Sequence, residues 1–231
     1  AIATVILPTL SRNHVGKDES GFSGNMDWAV RMVCLLGIPA ATGLGVLAEP
    51  ILSVIFQRGA FTAETTRMAS YSLTAYSFGL LSFMLVKVLA PGYYSRQDTK
   101  TPVKYGIWCM AANMLFNLIF ALPYGYIGLA IATSLSATLN AVLLYIGLYR
   151  QNVYKISRLT RGFVMRVVVA TTAMAMSIVW MQYNVPFTSL VFKDQVISLT
   201  LTILLAVAVF GASLFMMGIR FRHFKSRNFN P

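Results

Sequence analysis

Lys87 is the only charged residue between positions 68 and 90, and Pro91 follows it by four positions. A cation inside a hydrocarbon-spanning helix costs a few kcal/mol and is kept mostly where it faces a polar cavity or a partner. Pro91 lacks the N–H that would bond the Lys87 carbonyl, so a helix through this segment is expected to bend there with a carbonyl left free. That pairing suits a path for a polar or anionic substrate. A second reading fits as well, in which Lys87 lies near the helix end and its ammonium reaches the interface. Arg96 is nine residues further on, about 13 Å of helical rise, which a lysine stem covers only in part.

Other polar residues in apolar runs are less pointed. Asn113 and Asn117 share a helix face at four-residue spacing, and Asn140 sits in the next run. Hydrogen bonds between helices and contact with a substrate are both open to them. Glu49 stands beside Pro50 and reads as interfacial rather than as a proton carrier. Arg58 and Arg67 flank a short connector and read as solvated. The sequence contains no Gly-rich phosphate loop, no HExxH, no nucleophile elbow and no carboxylate pair within one run, so no enzyme is expected. Cys34 and Cys109 lie in apolar runs, while His14 and His223 lie in polar connectors. Their spacing gives neither a metal site nor a structural disulfide, and no cofactor is implied.

The elements that position these residues follow from composition. Of the 231 residues, 57% are hydrophobic and 11% charged, against about a quarter charged in soluble domains. Mean hydropathy is +0.66. The expected fold class is an all-α polytopic membrane protein with six complete spans at 28–47, 68–90, 103–122, 127–149, 163–183 and 196–217. Residues 1–10 read as the last turns of a further apolar helix, which, with no initiating Met, makes the chain the expected C-terminal part of a longer protein. Pro39 interrupts the first span, in which Gly37, Ala41 and Gly45 form a small-residue stripe for close helix approach. Glu49-Pro50 is expected to end that helix, with 51–56 as a short interfacial turn. Pro102 opens the third span in its first turn. Tyr124-Gly125-Tyr126 makes a tight reversal, after which Gly128, Ala132, Ser136 and Asn140 line one contact face.

A formal charge of +12 could suggest nucleic-acid binding, but its distribution argues otherwise. Except for Arg58, Arg67, Lys87 and Lys193, every Lys and Arg falls in alternate connectors or beside them. By the positive-inside rule those connectors and the C-terminus are cytoplasmic, and six spans return the chain to its starting side. The spans 163–183 and 196–217 carry no charge through their centres and either face lipid or line a groove for a hydrophobic chain.

Three segments carry a family resemblance. KVLAPGYYSRQDTKTPVK at 87–104, VILPTLSR at 5–12 and ILSVIFQRGAFTAETT at 51–66 resemble the MurJ (MviN) lipid II flippases, with the first spanning the end of the tenth transmembrane helix and the loop after it. The resemblance implies the second lobe, plus two C-terminal helices, of a 14-helix multidrug/oligosaccharidyl-lipid/polysaccharide exporter fold. It further implies alternating access, inner-membrane location and lipid II, the undecaprenyl-pyrophosphate-linked peptidoglycan precursor, as substrate. On this reading 1–10 ends a truncated helix, 11–149 supplies four complete helices of the lobe, and 150–161 is a basic cytoplasmic connector. Residues 162–218 form the hairpin holding the lipid tail, and 219–231 a basic tail. Lys87, with Asn113 and Asn140, becomes the expected cavity lining, Pro39 and Pro91 the expected flexing points, and Arg96, Gln97, Asp98, Thr101 and Pro102 the family loop. The expected partners are lipid II, membrane lipids and the missing N-terminal half, whose arginines would carry most of the pyrophosphate-binding charge. Another exporter of the same superfamily, or a non-transporting membrane scaffold, is the alternative.

Overall fold

The computed structural model describes residues 8, 10–11, 19–57, 61–185 and 192–218. Among them lie seven helices: α1 (Glu19–Val46), α2 (Ala48–Phe56), α3 (Ala63–Tyr94), α4 (Lys100–Tyr124), α5 (Tyr126–Arg150), α6 (Arg158–Asn184) and α7 (Phe192–Met216). All except α2 are long and apolar enough to cross a membrane. The expected six spans are therefore present, with ends that differ in instructive ways. The calls on 1–7, on Arg58 and on the tail beyond 218 fall outside the described residues; Leu10 is helical and fully buried.

α1 starts nine residues before the expected span, because Asn25, Met26 and Asp27 are buried against the bundle rather than solvated. Glu49-Pro50 does not end the helix. The break comes at Leu47, and α2 then accommodates Pro50 in its first turn, where the missing N–H has no helical partner to lose. Pro39 and Pro91 both lie inside helices that continue beyond them. α6 begins at Arg158, five residues ahead of expectation, with the Ser157 hydroxyl accepting from the Thr160 N–H at 3.1 Å as an N-cap. The reversal at Gly125 is as tight as its sequence suggests: one residue joins α4 to α5 at φ 55°, ψ −131°, a conformation that glycine alone adopts without strain.

α5 is the spine. It packs on α3 and α4; α3 packs on α1, α1 on α6, and α6 on α7, with α2 wedged between α3 and α7. α3 and α5 run parallel: the Ser134 hydroxyl donates to the Ala75 carbonyl at 2.7 Å, Ser82 and Thr138 share a 3.0 Å hydroxyl bond, and the Tyr93 phenol donates to the Leu144 carbonyl at 2.7 Å. Such bonds are worth making in a low-dielectric interior, where the hydroxyls would otherwise be unsatisfied. α4 and α5 are antiparallel, with the Ser136 hydroxyl donating to the Cys109 carbonyl at 2.7 Å and Gly128 in contact with the Phe120 backbone. Thus the stripe expected on α5 is a contact face. The main apolar core, around Met26, Val33, Val88, Tyr93, Leu144, Leu148 and Tyr154, sits at the end of the bundle bearing the basic connectors. Cys34 and Cys109 are buried, unbridged thiols.

Candidate functional site

Lys87 projects from an exposed stripe of α3 that also carries Tyr76, Phe83 and Tyr94. The opposite side of the same turn, Val88 and Leu89, is buried in the core. Lys87 has no ion-pair or hydrogen-bond partner among the described residues. Among the described residues it is an unpaired cation on an apolar, aromatic face, held in position by a turn whose far side is packed in the core.

The two asparagines expected beside it are not brought together. Asn113 accepts from the Asn117 amide at 3.1 Å, a bond within α4 rather than between helices. In the antiparallel α4–α5 pair, Cys109 faces Ser136, so Asn113 lies one turn to one side of that contact and Asn140 one turn to the other. Their separation along the axis is about 12 Å. Asn140 lies closer to the level of Lys87, since α3 and α5 are parallel and Ser82 meets Thr138. The Oδ1 atoms of Asn117 and Asn140 are buried and have no partner within the described residues, so polar capacity is left over on this side of the bundle.

The family loop is a latch between elements. The Arg96 guanidinium donates to Gln151 Oε1 at 2.9 Å, tying the α3–α4 turn to the α5–α6 connector. Gln97 takes a left-handed conformation at φ 61°, which lets the Asp98 N–H reach back to the Tyr93 carbonyl at 3.1 Å. Asp98 Oδ1 then accepts from the Thr101 N–H at 3.0 Å and secures the first turn of α4, where Pro102 is buried. Burial acts against ionisation of Asp98. The N–H groups of Thr101 and Lys100, with Arg96 nearby, outweigh it and hold the carboxyl below its ordinary value.

Three features stand out, two that the sequence does not signal and one, a groove at the hairpin, whose α1 wall it does not assign. The first is a buried carboxylate: Asp27 accepts from the Tyr154 phenol at 2.7 Å and from the Ser157 N–H at 3.4 Å, with an Arg31 nitrogen 3.9 Å away. Burial, and then the adjacent carboxylate, push the Tyr154 phenol far above its usual range, so it remains a donor. Asp27→Ala strands that fully buried hydroxyl and is expected to cost about 1–3 kcal/mol, read as a lower unfolding midpoint of the purified protein. The only sequence sign was Asp27 four positions before Arg31, just outside the expected span.

The second feature is an apolar cleft of about 990 Å³ between α1 and the α6–α7 hairpin. Leu36, Pro39, Ala40 and Gly43 form one wall, and Val207 and Phe210 form the other. The third is a smaller hollow of about 250 Å³ at the basic end, where α1 meets the start of α6.

Comparison with known proteins bears on all of this. The family model described as "Lipid II flippase MurJ" matches residues 1–200. The chain is 53% identical to a probable lipid II flippase MurJ of Vibrio cholerae, covering 98% of this chain and 43% of that one. It is 50% identical to its Haemophilus influenzae counterpart, covering 99% and 46%. For the Burkholderia cenocepacia lipid II flippase MurJ the identity is 33%, covering 98% and 44%. A solved lipid II flippase MurJ in an inward closed conformation superposes with a TM-score of 0.69 at 24% identity, over 93% of this chain and 43% of that one. The chain spans about half the length of the curated relatives it matches.

Proposed function

The chain belongs to the lipid II flippase MurJ family, and from that membership we propose that it forms the C-terminal lobe and tail-binding hairpin of a flippase that moves lipid II from the cytoplasmic to the periplasmic leaflet. It is an all-helical, multi-pass membrane protein. In the proposed arrangement it lies in the inner membrane with its basic connectors and C-terminus in the cytoplasm, as the distribution of Lys and Arg favours. It acts as a transporter rather than as a catalyst of covalent chemistry.

The observation that carries the proposal is the cleft of about 990 Å³ between α1 and the hairpin. Its walls are aliphatic and aromatic, so a polyprenyl chain lying there never leaves an apolar medium. The headgroup pyrophosphate is drawn by cations in a space of lowered dielectric, and Lys87 contributes one of them on this lobe. Asn140, with its unpartnered Oδ1 near the Lys87 level, is the better placed of the two asparagines to meet a sugar or peptide donor. Rocking of the lobes then exposes the headgroup on the other side. Flexing falls where backbone bonds are missing, at Pro39 and Pro91, in keeping with the broken helices of alternating-access transporters.

Filling the cleft tests the reading. A Cβ at Gly43 would have only Met174 Cε nearby, at 3.9 Å, so Gly43→Phe projects into the cleft without colliding with backbone. The full-length variant is expected to fold and reach the membrane, yet to translocate lipid II at least about tenfold more slowly, a change of 1.4 kcal/mol in the barrier. Wild-type flux through a filled cleft would remove the hairpin from the transport path.

A further inference from the structure

The hollow at the basic end has an unusual wall. Arg31 of α1 and Arg158 and Arg166 of α6 all line it, with Trp28, Leu159 and Phe163 supplying the apolar side. Among the described residues the carboxylate beside it is Asp27, whose Oδ1 accepts from Tyr154 and Ser157 while its Oδ2 faces an Arg31 nitrogen at a long 3.9 Å. No carboxylate pairs with Arg158 or Arg166 among the described residues. The Nε of Arg31 is buried and has no hydrogen-bond partner among the described residues. An unpartnered buried N–H is costly, and with one carboxylate beside three arginines this small space keeps an excess of positive charge that a further anion would offset.

Position narrows the chemistry. Arg166 lies eight residues into α6, about 12 Å along its axis, which carries it toward the hydrocarbon boundary. A charge at that depth calls for a partner, and the partner available in bulk at that depth is a lipid phosphate. Gly162 stands between Arg158 and Arg166, one helical turn from each, and also lines the hollow. A Cβ built there meets nothing within 4 Å. The space between the two arginines exists because residue 162 has no side chain.

We propose that Arg31, Arg158 and Arg166, over the floor left open by Gly162, bind the phosphodiester headgroup of an anionic glycerophospholipid from the surrounding leaflet. Arg31 supplies fixed donors, the two α6 arginines close round the phosphate as charge-assisted partners, and the acyl chains leave along Leu159 and Phe163. The site is separate from the hairpin cleft and from Lys87, and the proposal does not depend on what the protein transports.

The test uses purified full-length protein in detergent, with lipid retention read by native mass spectrometry. The probes are phosphatidylglycerol, phosphatidylcholine of the same acyl composition, and inorganic phosphate. Selective retention of phosphatidylglycerol is expected, and it should fall at least about tenfold both in Arg166→Gln and in Gly162→Leu, the loss of a charge-assisted contact. Gly162→Leu is the sharper arm: it leaves every charge in place, enters open space, raises helix propensity and fills the floor. Arg166 is exposed, so Arg166→Gln reads the same site without added bulk. Equal retention of the two lipids, or undiminished phosphatidylglycerol retention in both variants, overturns the proposal. Displacement of the lipid by inorganic phosphate at low millimolar concentration would reassign the site to free phosphate and overturn the lipid assignment.

Discussion

In the full-length protein, Lys87→Glu is expected to lower lipid II translocation by at least about tenfold while leaving expression and thermal unfolding close to wild type. The second half of that expectation comes from packing. Lys87 is exposed and makes no contact that the fold needs, while the buried work of its turn is done by Val88 and Leu89. The first half comes from electrostatics. A cation about 4 Å from a phosphate oxygen gains about 4 kcal/mol at an effective dielectric of about 20, and reversal replaces that attraction with repulsion. Losing a third of the attraction alone already gives a tenfold change in rate. Lys87→Ala should fall between Lys87→Glu and wild type, and Lys87→Arg should retain most of the flux. Full transport by Lys87→Glu at normal abundance would take the residue out of the mechanism. A drop in thermal stability equal to the drop in flux would favour a structural role, as in a scaffold.

Gly79→Val is expected to damage the packing of α3 on α5 strongly, at about 3 kcal/mol, or a midpoint lower by roughly 10 °C. A Cβ at Gly79 would fall 2.7 Å from Ser134 Oγ and 2.9 Å from its Cα, so backbone as well as side chain must give way. Separating α3 from α5 there also breaks the bond from the Ser134 hydroxyl to the Ala75 carbonyl, stranding a buried donor. Gly106→Ala is the control: nothing lies within 4 Å of its built Cβ, and the substitution should leave the midpoint unchanged or raise it slightly. If Gly79→Val unfolds at the control's temperature, the close α3–α5 approach is not what holds the pair together.

What the sequence made legible was whatever depends on local runs. Six long apolar stretches announce six helices, and Gly125 between two tyrosines announces the reversal. The ends were harder to read because tertiary contacts decide them. Asn25 and Asp27 look solvated until one sees that Asp27 meets Tyr154, 127 positions away. Pro50 looks like a stop until it is found in a first turn. The same holds for the candidate sites. Lys87 stood out because a lone charge in an apolar run is a local signal. The pairing of Asn113 with Asn117 also follows from spacing, but the distance from Asn113 to Asn140 depends on how α4 and α5 are staggered. The cleft and the arginine-lined hollow need segments from opposite ends of the chain, and no window of residues contains either.

α6 is fastened to α1 at both extremities: the Ser157 N–H bonds Asp27 just ahead of its first turn, and near its last the Gln182 amide donates to the Val46 carbonyl at 3.1 Å. A strut bolted at two points cannot swing about either. In the proposed cycle the hairpin therefore travels with α1 as one body, and only a bend between the two fastenings, at Pro39, changes the width of the cleft between them.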